Sequence, residues 1–91
     1  MNELKEYKLY FEVNKQQDLK EVQQFISTIC KGATLQQATG LWCGVWSHSF
    51  ILTVIGSCKL NEIKELAIAI KKQYQQQAVY VTVASVKGGL L

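Results

Sequence analysis

The stretch DLKEVQQFISTICK, Asp18 to Lys31, reads as a capped amphipathic helix and sets the frame for the chain on either side of it. Leu19, Val22, Phe25, Ile26 and Ile29 recur at helical spacing and line one face. Asp18 is the N-cap, Glu21 completes a capping box three residues on, and Gly32 follows as the C-terminal cap. Upstream, Tyr7, Leu9, Phe11 and Val13 alternate with Lys8, Tyr10 and Glu12, the period-2 signature of a half-buried strand. Asn14 to Gln17 is a polar connection between the two. Downstream, Thr34 to Trp42 reads as a weaker strand, interrupted by Gln36 and Gln37 and suited to a sheet edge. A turn over Cys43 to Trp46, with Gly44 inside, leads into the strand Ser49 to Ile55. Gly56 to Leu60 is a loop, and Asn61 caps a second helix that carries Ile63, Leu66, Ala67, Ile70 and Tyr74 on one stripe. Gln75 to Gln77 reads as a turn, and Ala78 to Ala84 as the last strand.

The order is β-α-β-β-α-β, with almost nothing left over. Right-handed crossovers convert it into an α+β, ferredoxin-like fold: an antiparallel four-stranded sheet of order 4-1-3-2 with both helices on one face. Strands one and three are the central pair, and they are expected to run parallel. The 91 residues make one domain, residues 1–91.

Composition narrows the class. The chain is 48% hydrophobic and 19% charged, which suits a packed globular domain and excludes a disordered one. Its net charge of +3 comes from lysine alone. Without arginine, the main source of bidentate base and phosphate contacts, a nucleic-acid polymer is not the expected partner. A small anion remains accessible to lysine as a point charge. Three cysteines, Cys30, Cys43 and Cys58, give an odd count without disulfide-type spacing. No leader or apolar run of membrane-spanning length is evident, so a membrane partner is not expected and the cytoplasm is the expected setting.

Functional residues are sought first on the sheet face that the helices leave open. Tyr10, Tyr80 and Thr82 belong there, with either Ile51, Thr53 and Ile55 or the alternate set Phe50, Leu52 and Val54. An apolar face of this kind predicts a homo-oligomer, a dimer or trimer, with Ile51, Ile55, Tyr80 and the terminal Leu90 and Leu91 in its interface. Trp42 and Trp46 bracket the turn, with His48 and Cys43 close by. They suggest an aromatic clamp for a planar ligand, or rings packed across the hairpin. Cys43 and His48 alone complete neither a zinc site nor a catalytic triad, so no metal, no cofactor and no enzyme activity are expected. With strands one and three parallel, the loops 14–17 and 56–60 would share one end of the sheet. Two helix N-termini, Lys15, Lys59 and Ser57 would then surround an anion site.

The run Gly32-Ala33-Thr34-Leu35 with Thr39-Gly40-Leu41-Trp42 resembles the second-strand region of PII-type signalling proteins and their CutA-like relatives. That resemblance implies a trimer binding nucleotides or ions at subunit seams. A broader likeness covers the opening Tyr-x-Leu-Tyr-Phe strand, the Gly-x-Trp hairpin and the closing Tyr74 to Thr82. These are similar to small ferredoxin-like proteins frequent in bacteriophages, with Gln76, Gln77, Ala78 and Val79 in place of their usual Asn-Gln-Glu-Ser-Val ending. The likeness implies a phage anti-defence protein, an oligomeric sponge that sequesters a small anionic, nucleotide-type immune signal without cleaving it. The alternative is an inhibitor that covers a host defence enzyme through the Trp42–Trp46 hairpin and the Leu90–Leu91 tail.

Overall fold

A computed structural model describes residues 2–13, 18–56 and 59–90. The elements in chain order are β1 (Asn2–Glu12), α1 (Leu19–Ile29), β2 (Thr34–Trp42), β3 (Val45–Gly56), α2 (Leu60–Gln73) and β4 (Tyr80–Gly88). The strands form one sheet in the order β2-β3-β1-β4, and every neighbouring pair is antiparallel. The expected parallel pairing of β1 and β3 is therefore corrected. The two-residue turn at Cys43 and Gly44 reverses the chain, so β3 returns against both β2 and β1. Glu12 pairs with Ser49 at one end, and Lys5 with Gly56 at the other. Consequently α1 and α2 start at opposite ends of the sheet.

That pairing also decides which side of β3 is inside. Tyr7 lies opposite Val54, Leu9 opposite Leu52 and Phe11 opposite Phe50. All six are buried in one core with Val22 and Ile26 of α1 and Ile63, Leu66 and Ile70 of α2. Both helices thus cover the same sheet face, and Ile51, Thr53 and Ile55 point to the other. Phe11 stacks on Phe50 at 5.9 Å and on Tyr74 at 5.7 Å, while Phe25 meets Tyr74 edge-on at 5.6 Å. Burial, and secondarily the Glu21 carboxylate, push the Tyr74 phenol above its ordinary value.

Asp18 is the N-cap of α1, its Oδ1 accepting the Glu21 N–H at 2.8 Å. The expected cap at Gly32 is not formed. Cys30 leaves the helix in extended conformation, and a bend at Lys31 and Gly32 leads into β2. Asn61 is likewise not a cap. The cap falls two residues earlier, at an extended Lys59 whose carbonyl accepts from Glu62 and Ile63. At its far end, Gln76 N–H donates to Lys71 O at 2.9 Å and Gln75 N–H to Lys72 O at 3.5 Å, closing a Schellman motif. Gln75 holds the left-handed position at φ 51°. A side chain there costs about 1–2 kcal/mol of backbone strain, partly offset by the extra flexibility glycine gives the unfolded chain. Gln75→Gly is expected to stabilise the fold by about 0.5–1 kcal/mol in urea denaturation. A loss of stability would mean that the Gln75 side chain holds a contact worth more than the strain.

Strand β1 begins at Asn2, five residues before its alternating segment, and β4 continues to Gly88. The two extensions pair with each other, Asn2 opposite Gly88 and Leu4 opposite Val86. Residues 86–88, beyond the expected strand end at Ala84, are therefore strand. Leu90 is fully exposed, and Leu91 lies outside the described residues.

Candidate functional site: a cleft on the open sheet face

The face opposite the helices is more polar than its sequence suggests. Across β2, β3, β1 and β4, one row reads Gln36, Ile51, Tyr10, Tyr80 and the next reads Thr34, Thr53, Lys8, Thr82. Ile55 lies opposite Glu6, and Ser49 opposite Glu12. Alternation puts Glu6, Lys8, Tyr10 and Glu12 of the central strand on this face, so charge is interleaved with the apolar side chains.

At the end where β1 finishes, these rows open into a cleft of about 460 Å³. Its walls include Tyr10 and Glu12 of β1, Trp42 of β2, Gln75 and Gln77 from the α2–β4 connection, and Tyr80 of β4. Tyr10 and Tyr80 are register partners, and their rings lie 6.0 Å apart in a tilted pair. The connection is held to the sheet by Gln76, whose Oε1 accepts the Glu12 N–H at 3.0 Å while its Nε2 donates to Tyr74 O at 3.0 Å. Gln76 is thereby occupied, whereas Gln75 and Gln77 are exposed on the rim.

Small residues shape the rest. A Cβ built on Gly40 would sit 2.8 Å from Trp42 Nε1 and 2.8 Å from Ser49 Oγ. The indole therefore lies back along β2 over Gly40, close above Ser49. Ser49 is only 7% exposed although it belongs to the open face, and its hydroxyl has no hydrogen-bond partner among the described residues. Trp42 itself is 48% exposed. Among the described lining residues Glu12 carries the only formal charge.

The residues expected from sequence divide accordingly. Tyr10 and Trp42 share the cleft, and Tyr80, expected at an interface, completes it. Trp46 pairs with Leu41 on the helix-facing side of the projecting hairpin, away from the cleft. His48 is also on that side, edge-on to Phe50 at 5.1 Å. Lys59 precedes α2 at the opposite end of the sheet, and Lys15 and Ser57 lie outside the described residues. The shared anion site of two helix N-termini is thus overturned by the antiparallel β1–β3 pairing. Ile51 is half-buried on the open face and Ile55 is exposed there. Sequence reasoning missed Glu12, Gln75 and Gln77. The legible signal was the glutamine run itself, two residues ahead of Tyr80 at the start of β4.

Comparison with known protein families and with curated proteins finds no match to this chain. Among the described residues, no three His, Cys, Asp or Glu side chains gather as a metal site. No described helix is long and apolar enough to cross a membrane.

Proposed function

We propose that this chain is a non-catalytic binding module of ferredoxin-like topology whose open-face cleft holds the planar ring of a small ligand. The strand order β2-β3-β1-β4, with both helices on one core, supports the topology. The observation that carries the function is the convergence of Trp42, Tyr10 and Tyr80, from three different strands, on one cleft. Its size falls within the range of small-molecule sites, about 300–1,000 Å³. Aromatic walls stack any flat heterocycle, and each such contact is worth about 1–3 kcal/mol. Glu12 accepts hydrogen bonds from ring amino or N–H groups, while the amides of Gln75 and Gln77 both donate and accept. The ligand is therefore nucleobase-like in its ring. It is neutral or cationic where it meets Glu12, since the described residues give the cleft a carboxylate and no lysine.

The anionic, nucleotide-type ligand expected from sequence keeps its ring in this reading and loses its phosphate site. Calorimetric titration with nucleosides and with their 5′-monophosphates separates the two. Nucleosides are expected to bind at least as tightly as monophosphates, and Trp42→Ala to weaken binding by about tenfold or more. Monophosphates binding tenfold tighter than nucleosides would restore an anion site. Absence of binding across both sets would remove the planar-ligand reading.

A further inference from the structure

We infer that the β4 edge, together with the groove between β4 and α2, takes an extended segment of a partner protein as a fifth strand. The segment's chemistry is apolar side chains on the face that covers the groove, with acidic ones on that same face at the end beside the start of α2. Strand β4 ends the sheet, so one side of Tyr80–Gly88 pairs with β1 and the other side pairs with nothing among the described residues. Its pairing with β1 runs one-to-one from Tyr80 to Gly88, so no bulge twists the strand away. It contains no proline, and its single charge, Lys87, lies near the end. Natural sheets usually guard an edge of this length with inward charges, proline or a bulge. The guard is thin here.

Beside the edge runs an apolar groove of about 460 Å³, separate from the ligand cleft. Leu60 and Ile68 of α2 face Val81 and Val83 of β4 across it, over a floor that includes Tyr7 and Ile63. Val83 is 57% exposed and Ile68 52%, large values for aliphatic side chains flanking a core. A strand added at this edge places every second side chain over the groove.

Charge selects the occupant. Lys64 lines the groove. The end nearest the start of α2 adds Lys59 before the helix and Lys5 and Lys87 on the helix-facing side of β1 and β4. Lys5 is held there, its Nζ donating to Ser85 Oγ at 2.9 Å. Glu3, opposite Lys87, and Glu62 offset part of this charge. Four lysines against two carboxylates leave a net positive rim. A second copy pairing antiparallel through this edge would set the lysine-rich end against the Tyr80 end of its partner, where Lys71 and Lys72 close α2, so lysines would face further lysines and no acidic counterpart. An apolar and acidic segment satisfies both the valines and the lysines.

Two blocked synthetic peptides test the inference, each alternating valine with threonine, with the last two valines at one end replaced by glutamate in the first and by lysine in the second. Fluorescence anisotropy on the full chain is expected to show the glutamate peptide binding at least tenfold tighter, with the preference shrinking as salt rises. Amide hydrogen exchange is expected to slow along Tyr80–Gly88 on binding. Val83→Lys, at an exposed position, should weaken the complex at least tenfold, while Trp42→Ala leaves it unchanged. Equal affinity for both peptides, protection along β2 in place of β4, or wild-type binding by Val83→Lys would each overturn it. A dimer of the free protein with β4 amides already protected would assign the edge to a second copy. The peptide test does not involve the aromatic cleft, so either proposal can fail without the other.

Discussion

Phe50→Ala is expected to leave the domain at the edge of unfolding. Phe50 is completely buried in the core, stacked on Phe11 at 5.9 Å and touched edge-on by His48 at 5.1 Å. Truncating a buried phenylalanine costs about 3–5 kcal/mol, the lost transfer energy plus the cavity that remains. A domain of this length has on the order of 5–14 kcal/mol in total. The midpoint of thermal unfolding should therefore fall by roughly 15–30 °C. Ile55→Ala is the control. Ile55 belongs to the same apolar run but is 55% exposed on the open face, so its truncation should cost less than about 1 kcal/mol. Urea denaturation of the two variants side by side measures the difference. Equal losses would mean that the two faces of β3 are buried alike.

That contrast marks where the sequence stops being informative. The strand alternation from Tyr7 to Val13 is legible because polar residues separate its apolar ones. Along Ser49 to Ile55 both alternate sets are largely apolar, and only the register against Leu9 and Phe11 selects Phe50, Leu52 and Val54 as the inner set. The direction of β3 was open to deduction. Strand β2 follows a helical crossover from β1, a tight hairpin then reverses the chain, and β3 must oppose β1. Taking the pair as parallel conflicts with the hairpin itself, and the anion site built on it fails for that reason. The first residues of β1 were hidden for a different cause. Asn2 to Glu6 carry four polar side chains in five, and backbone pairing with β4 holds them in the sheet without a hydrophobic pattern. In the cleft, the aromatic members were visible as residues, whereas their meeting depends on Tyr80 being opposite Tyr10 and on the chain after α2 being fastened to Glu12 by Gln76.

Gly40→Ala is expected to damage the ligand cleft more than the fold. Ordinary β-strand positions gain from replacing glycine, by about 0.5–1 kcal/mol, because the unfolded chain becomes less flexible. At Gly40 the added methyl would meet Trp42 Nε1 and Ser49 Oγ at 2.8 Å each, distances that require both to shift. The Ser49 hydroxyl has no hydrogen-bond partner among the described residues, so it can turn without breaking a bond to them. The indole is half-exposed and can swing toward solvent, but it then leaves the cleft. Overpacking of this kind costs about 1–3 kcal/mol, and after the glycine gain a net loss of roughly 0.5–2 kcal/mol remains. Nucleoside binding should fall about tenfold or more, matching Trp42→Ala, and the tryptophan emission should shift to the red. The Gly40→Ala/Trp42→Ala double variant distinguishes displacement from general damage. With the indole gone the methyl has room, so the two stability losses should sum to more than the loss of the double variant, a coupling expected of residues in direct contact. Strict additivity, or full ligand affinity in Gly40→Ala, would mean that the indole does not rest on Gly40 in solution.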